Sequence, residues 1–147
     1  MKKIYLIIGV VIICLTGCSK TNYIRDTSKG EIQDISFETL ADKIENDKSF
    51  LLQISLKNCE YCKYVKNIET EYIKKHNITI YNYTLDNSDE NFKAEFDYIK
   101  KHFKNFEIAP SLYWVDNKKN KNLLTFEIDE EERQLDKFII KYEIDKK

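Results

Sequence analysis

The chain has 147 residues, of which 42% are hydrophobic and 33% charged, and its formal net charge at pH 7 is −1. Apolar and aromatic residues are plentiful along the chain, which excludes an intrinsically disordered protein. Because there is no basic surplus, we predict no nucleic-acid partner. One proline and three glycines argue against a turn-rich β-sandwich. We expect one compact domain behind a short targeting segment.

The N-terminus has the pattern of a secretory signal. Two lysines in residues 1–3 precede an apolar run over residues 4–15, which is too short to span a bilayer core of about 30 Å. Residues 15–18 (Leu-Thr-Gly-Cys) resemble the bacterial lipobox. That resemblance implies cleavage before Cys18 and lipidation of its thiol. The alternative is an uncleaved membrane anchor, and both alternatives put the domain on the extracytoplasmic face of the cell membrane.

We therefore divide the chain into a lipoprotein signal peptide (1–17), a flexible tether carrying Cys18 (18–30) and a folded domain (31–147). The tether is polar and has no apolar periodicity. Removal of residues 1–17 takes away two lysines and no acid, which leaves 22 basic and 25 acidic side chains and a net charge of −3. A mildly acidic protein gains no electrostatic attraction to anionic lipid. We expect the lipid anchor to hold the protein at the membrane.

Apolar periodicity beyond the tether predicts nine elements in the order β-α-β-α-β-α-β-β-α. The predicted strands are 31–35, 50–56, 78–83, 112–115 and 123–128, and the predicted helices are 37–44, 59–73, 92–103 and 135–142. Alternating strands and helices indicate a mainly parallel sheet with helices on both faces, while the late hairpin adds an antiparallel edge. The fold class is therefore α/β with a central mixed sheet.

Cys59 and Cys62 are the close cysteine pair of the mature domain, because Cys14 and Cys18 lie in the targeting segment. The pair follows a predicted buried strand and falls on the first turn of a helix, where three-residue spacing allows a disulfide. Unpaired N–H groups at the helix start favour a thiolate at Cys59. Since the thiolate is the nucleophile of disulfide exchange, we predict that Cys59 reacts and Cys62 resolves the mixed disulfide.

Three other interpretations of the pair remain open. A structural zinc site would need His76 and His102 as further ligands, and their spacing matches no zinc-finger or ribbon pattern. A purely structural disulfide is the second, although so small a loop constrains little chain entropy. The third is the chance proximity of two buried thiols. We interpret both histidines as helix-surface residues and predict neither a metal nor a cofactor.

Several motifs together resemble the thioredoxin family over about residues 31–147. They are the element order, the Cys-Glu-Tyr-Cys of residues 59–62, Lys63 after it, and Ala109-Pro110-Ser111 before the late hairpin. The resemblance implies a thioredoxin-like fold and a cis Ala109–Pro110 bond. It also implies that Pro110 positions the substrate and that Ala109 offers it backbone hydrogen bonds. An ordinary loop proline is the alternative. We expect Tyr61 on the exposed lip of the site, as a third substrate contact.

The sequence departs from the family pattern near the cysteines. Asn58 replaces the usual aromatic residue, and Gln53 stands near the position of the buried acid that assists proton transfer in cytoplasmic thioredoxins. Glu60 disfavours a thiolate at its neighbour Cys59, and Lys57 and Lys63 offset part of that effect. The direction of electron flow therefore stays open.

With its lipobox, the chain most resembles the small extracytoplasmic thioredoxin-like lipoproteins of Gram-positive bacteria, including the bacteriocin-transport accessory type. The resemblance implies a monomeric thiol–disulfide oxidoreductase. Its partners would be extracytoplasmic protein thiols or disulfides and a membrane redox protein. The alternative is a non-catalytic accessory factor of a secretion or bacteriocin system that uses the fold to bind a partner.

Overall fold

The secondary structure follows the predicted order of nine elements. The computed structural model describes residues 23–46 and 49–147. The strands are β1 (Glu31–Ile35), β2 (Ser49–Leu56), β3 (Thr79–Leu85), β4 (Ser111–Asp116) and β5 (Asn120–Thr125). The helices are α1 (Phe37–Asn46), α2 (Glu60–Tyr72), α3 (Phe92–His102) and α4 (Glu131–Lys141).

The five strands form one mixed sheet in the order β1-β3-β2-β4-β5. β1, β3 and β2 are parallel, whereas β4 is antiparallel to β2 and to β5. β2 is the central strand, and its side chains alternate between two cores. Leu52 packs in the core under α1 and α3, and Leu51 packs in the core under α2 and α4. This confirms the predicted mixed α/β sheet with helices on both faces.

The end of the late hairpin differs from the prediction. β5 covers Asn120–Thr125, not residues 123–128. The turn before it takes only residues 117–119, because Asn117 and Lys118 adopt positive φ values of 48° and 65° and reverse the chain tightly. Ile128 therefore lies in the loop before α4, where it is 75% exposed.

The predicted flexible tether over residues 18–30 is corrected for its second half. Residues 23–30 lie against the domain, with a backbone bridge from Arg25 to Lys146 and a hydrogen bond of 2.8 Å from the Gly30 amide to the Ile73 carbonyl. This attachment uses backbone groups and the polar side chains of Tyr23, Arg25 and Asp26. Because these contacts are polar, residues 23–30 show no apolar periodicity from which the attachment could have been predicted.

The predicted signal peptide (1–17) and the lipidation site Cys18 lie outside the described residues. Within residues 23–46 and 49–147, no helix is both long enough and apolar enough to cross a membrane.

Candidate functional site

A tight turn joins the central strand to the helix that carries the cysteines. The amide of Lys57 donates to the Leu85 carbonyl at 2.8 Å, and the amide of Cys59 donates back to the Leu56 carbonyl at 3.2 Å. Asn58 sits between them with a φ of 61°. Asparagine is among the few residues that adopt this left-handed conformation readily. The backbone conformation therefore favours asparagine at position 58, where the family resemblance would place an aromatic residue.

Cys59 and Cys62 form a disulfide across the first turn of α2, with their Cα atoms 5.2 Å apart. Cys59 is the N-cap of α2, and its Sγ accepts a hydrogen bond of 3.0 Å from the Cys62 amide. This confirms the predicted position of the pair at the helix start. Cys62 is only 4% exposed, whereas Cys59 is partly exposed. Of the two sulfurs, Cys59 is the one that a protein thiol can approach.

The charged side chains next to the pair are already matched with one another. Lys63 forms an ion pair of 2.6 Å with Glu60, and Lys57 forms an ion pair with Asp86. Both pairs lie at the surface, where solvent screens their fields. Each lysine expected to offset Glu60 thus has a carboxylate partner. No unpaired cation at Lys57 or Lys63 remains to favour a thiolate at Cys59.

Tyr61 is partly buried and so less exposed than expected, and its role as a substrate contact stays a prediction. Its hydroxyl donates a 2.8 Å hydrogen bond to Glu131, the first residue of α4, and its ring stacks on Tyr64. Burial, and then the bond to Glu131, raises the pKa of Tyr61 to about 12. The ring packs inward because it joins the core under α2 and α4. Tyr64 is the more exposed tyrosine, at 51%.

The Ala109–Pro110 peptide bond is cis, as the family resemblance implied. Pro110 is buried, and Ala109 is partly exposed. Ser111 pairs with Ile54 in the antiparallel register of β4 and β2. The cis bond therefore lies at the end of the sheet where β2 leads into the cysteine turn. Its predicted contact with a substrate chain stays a prediction.

Polar groups line the sheet face under α2. Gln53 on β2 is 1% exposed, and neither atom of its side-chain amide has a hydrogen-bond partner among the described residues. Two positions further along the same face, Ser55 donates to Asn82 on β3 at 2.8 Å. Asn82 in turn donates to Asp34 on β1. Asp34 also forms an ion pair of 2.7 Å with Lys66 of α2. This line of contacts fixes the helix to the sheet.

Glu69 is a second buried polar residue on α2. It is completely buried, and neither carboxylate oxygen has a hydrogen-bond partner among the described residues. Burial raises the pKa of Glu69 to about 8, and the nearby charge of Lys66 lowers it slightly. Cys62 lies seven residues earlier, on the same buried face of the helix.

The histidines lie outside the cysteine site. His76 follows the end of α2 and is partly buried, not a helix-surface residue as expected: its Nδ1 lies 3.0 Å from Asp145, and its ring stacks on Tyr72. His102 ends α3, and burial lowers its pKa. In the part of the chain that the structure describes, no group of three or more His, Cys, Asp or Glu residues could hold a metal ion.

Two residues near the cysteines escaped the sequence analysis. Glu131 bonds to Tyr61 from 70 positions away, and no local pattern signals such a contact. Glu69 did leave a signal, because an acid interrupts the apolar face marked by Val65 and Tyr72. An acid at such a position is buried as soon as the helix packs on the sheet.

Comparisons with known proteins bear on the fold. No protein-family model matches the sequence, and no curated protein does. Thioredoxin Mala s 13 of Malassezia sympodialis is similar at a TM-score of 0.56, with 13% identity over 79% of this chain and 94% of that chain. Thioredoxin NaTrxh of Nicotiana alata gives 0.51, with 9% identity over 82% and 96%. The chain spans half of another matched structure, the J-Trx1 fragment of ERdj5. At these identities the likeness shows a thioredoxin-like fold and nothing finer.

Proposed function

We propose that the protein is a thiol–disulfide oxidoreductase held on the extracytoplasmic face of a bacterial membrane by a lipid on Cys18. The observation that carries the activity is the Cys59–Cys62 disulfide at the N-cap of α2, directly after the central strand. The lipobox-like residues 15–18, behind an apolar run, support the anchor and the location. Protein thiols or disulfides outside the cytoplasm would be the substrates, and a membrane protein would exchange electrons with the pair.

Disulfide exchange at this pair needs no cofactor. In the oxidising direction a substrate thiolate attacks Cys59 Sγ, so that the Cys59–Cys62 bond breaks, a mixed disulfide forms and Cys62 leaves as a thiolate. A second substrate thiolate attacks the substrate sulfur of the mixed disulfide, and Cys59 leaves as a thiolate. Two electrons pass from the two substrate thiols to the pair. Reduction of a substrate disulfide follows the same steps in reverse.

The local structure supports these roles. Cys59 is the more exposed sulfur, and the amide hydrogen bond from Cys62 stabilises negative charge on it. Cys62 is buried within one helical turn of Cys59, which suits a resolving thiol. Ala109 and Pro110 lie at the same end of the sheet, where an extended substrate could pair with the backbone.

Trapping tests the activity. We expect the reduced Cys62→Ser variant to accumulate a mixed disulfide with an oxidised substrate protein, because Cys59 attacks the substrate disulfide, one substrate sulfur leaves as a thiolate, and no second thiol remains to resolve the product. Cys59→Ser is the matched control and should form none. If neither variant forms a mixed disulfide, and cells carrying Cys59→Ser keep the phenotype of the wild type, the accessory-factor alternative replaces the enzyme.

The equilibrium potential of the pair in a glutathione or dithiothreitol buffer gives the direction of electron flow. A potential of about −270 mV indicates a reductant, and one of about −120 mV indicates an oxidant.

A further inference from the structure

The N-terminal segment is locked to one end of the domain by Arg25. Its guanidinium forms ion pairs of 2.7 Å with both Asp136 and Asp145, and the Asp145 side chain is completely buried. Tyr23 also hydrogen-bonds to Asp145. We call Tyr23, Arg25, Asp136 and Asp145 the N-terminal clamp. A buried carboxylate matched by an arginine cannot leave its partner without a large loss of stability, so the clamp fixes where the chain enters the domain.

The clamp and the disulfide lie at opposite ends of α2. Cys59 caps the start of this helix, whereas Arg25 reaches the Tyr72 hydroxyl at its end, at 2.5 Å, and His76 just beyond. α2 contains 13 residues, and at a rise of 1.5 Å per residue it separates the two features by about 20 Å. The disulfide therefore faces away from the point where the N-terminal segment enters.

The length of chain before the clamp limits how far the domain can stand from a lipid on Cys18. Tyr23 lies five positions after Cys18, and five fully extended residue steps span at most about 18 Å. Without the clamp, the free chain would reach Gly30, 12 positions after Cys18, and 12 extended residue steps would span up to about 43 Å. With the clamp, Tyr23 lies within about 18 Å of a lipidated Cys18, so the end of the domain that holds the clamp is kept close to the bilayer.

Exposed lysines surround this entry point. Lys29 precedes the Gly30–Ile73 backbone contact, Lys74 and Lys75 follow Ile73, and Lys146 forms the bridge to Arg25. We call Lys29, Lys74, Lys75 and Lys146 the basic patch. Lys74 and Lys146 have acidic partners, Glu71 and Glu143, but within residues 23–46 and 49–147 no ion pair involves Lys29 or Lys75.

The opposite end of the domain is acidic. The loops after β3 and before β4 and α4, together with the first turn of α4, expose Asp89, Glu90, Glu107, Glu127, Asp129 and Glu132. The cations at this end, Lys57, Lys63 and Arg133, are paired with Asp86, Glu60 and Glu130. Among the described residues, the charges without an ion-pair partner are therefore acidic at the disulfide end, whereas Lys29 and Lys75 are basic ones at the clamp end. An anionic lipid surface attracts the basic end and repels the acidic end over about one Debye length of 8 Å.

We propose that the basic patch faces an anionic membrane surface and that the disulfide points away from it, toward partners in the extracytoplasmic space. This orientation rests on the proposed lipid anchor at Cys18. The short chain before the clamp brings the basic patch within reach of the lipid headgroups. The uneven distribution of charge then orients the domain with this patch toward the bilayer. Cys59 would then be unable to reach protein thiols that lie at the bilayer surface.

Energy transfer to the membrane tests the orientation. The lipidated, oxidised full-length protein is placed in vesicles of phosphatidylcholine and phosphatidylglycerol that contain an acceptor-labelled lipid. A donor dye is attached through Thr27→Cys at the clamp end or through Asn87→Cys at the disulfide end, both exposed positions. Because about 20 Å separates the two ends, we expect the Thr27 label to transfer about twofold more efficiently.

Charge reversal measures how much the basic patch contributes to the orientation of the domain. Lys29→Glu combined with Lys75→Glu should bring the ratio of the two transfer efficiencies toward one. The control, Lys63→Glu combined with Lys93→Glu, makes the same charge change away from the patch and should not lower the ratio. Equal transfer from the two labels in the wild type, or equal effects of the two double variants, overturns the orientation. If the wild type fails to float with the vesicles, or Cys18→Ala floats equally well, the lipid anchor of the proposed function fails instead.

Discussion

Replacement of Glu69 by glutamine should remove a large pH dependence from the stability of the oxidised protein. The carboxyl is completely buried, without a hydrogen-bond partner among the described residues, and its pKa is raised from an ordinary value of 4.5 to about 8. The folded protein therefore keeps a proton on Glu69 that the unfolded chain releases above pH 4.5. The stabilisation is fully present below pH 4.5 and is lost as the pH rises through about 8.

The size of the effect follows from the difference between the pKa of Glu69 in the unfolded chain and its pKa in the folded protein. Each pH unit between 4.5 and 8 lowers the free energy of unfolding by about 1.4 kcal/mol. The wild type should thus lose about 3 kcal/mol by pH 7 and about 5 kcal/mol by pH 9 through this one group. Glutamine has the same shape and cannot ionise. Glu69→Gln should therefore match the wild type near pH 4 and exceed its stability by these amounts at higher pH.

Urea unfolding of the oxidised wild type and variant between pH 4 and 9 measures this difference directly. Groups that titrate in both proteins cancel when the two free energies of unfolding are subtracted. Glu71→Gln is the matched control on the same helix, because Glu71 is exposed and paired with Lys74. It should change stability by less than about 1 kcal/mol. Parallel curves for the wild type and Glu69→Gln from pH 5 to 8 would refute the assignment of a buried protonated carboxyl.

Two contacts that hold distant segments together give further predictions. Arg25→Ala leaves Asp145 buried without its cation and should lower the free energy of unfolding by about 3 kcal/mol, measured in urea at pH 7. It should also speed amide hydrogen exchange at Asp26, whose N–H donates to the Asp145 carbonyl. Tyr61→Phe removes the donor to the buried Glu131 and should cost about 1–2 kcal/mol in the same assay.

Each of these variants has a control at an exposed position, where either a cation or a tyrosine hydroxyl is removed. Lys93→Ala removes an exposed ion pair with Asp97 and should change stability by less than about 0.5 kcal/mol. Tyr64→Phe removes a hydroxyl from the exposed neighbour of Tyr61. Equal losses for Arg25→Ala and Lys93→Ala would contradict the N-terminal clamp, and equal losses for the two tyrosine variants would contradict the bond to Glu131.

The elements themselves could be predicted because they depend on local pattern. Apolar spacing located all four helices, and the apolar run of β2 marked the central strand correctly. Boundaries were less accurate where the turn chemistry was not visible in the pattern. Positive φ values at Asn117 and Lys118 shorten the hairpin turn, and this shift moved β5 three residues earlier than predicted.

The candidate site could be predicted in part for a similar reason. Cys59 and Cys62 lie three residues apart at a strand-to-helix junction, so chain geometry alone brings their sulfurs together. The environment of Tyr61 could not be predicted, because its position depends on α4 packing beside α2. The entry of the N-terminal segment likewise depends on Asp136 and Asp145, more than 100 residues beyond Arg25.

The sequence by itself thus determined the position of the cysteine pair and the order of strands and helices, and its family resemblance implied the cis Ala109–Pro110 bond. These depend on short-range spacing, or on motifs that stand together in one order along the chain. Only the tertiary structure decided the surroundings of those features: the partners of Lys57 and Lys63, the burial of Glu69, and the clamp at Arg25. Each of these depends on contacts or burial that arise only when distant parts of the chain pack together. Local periodicity carries no information about such packing.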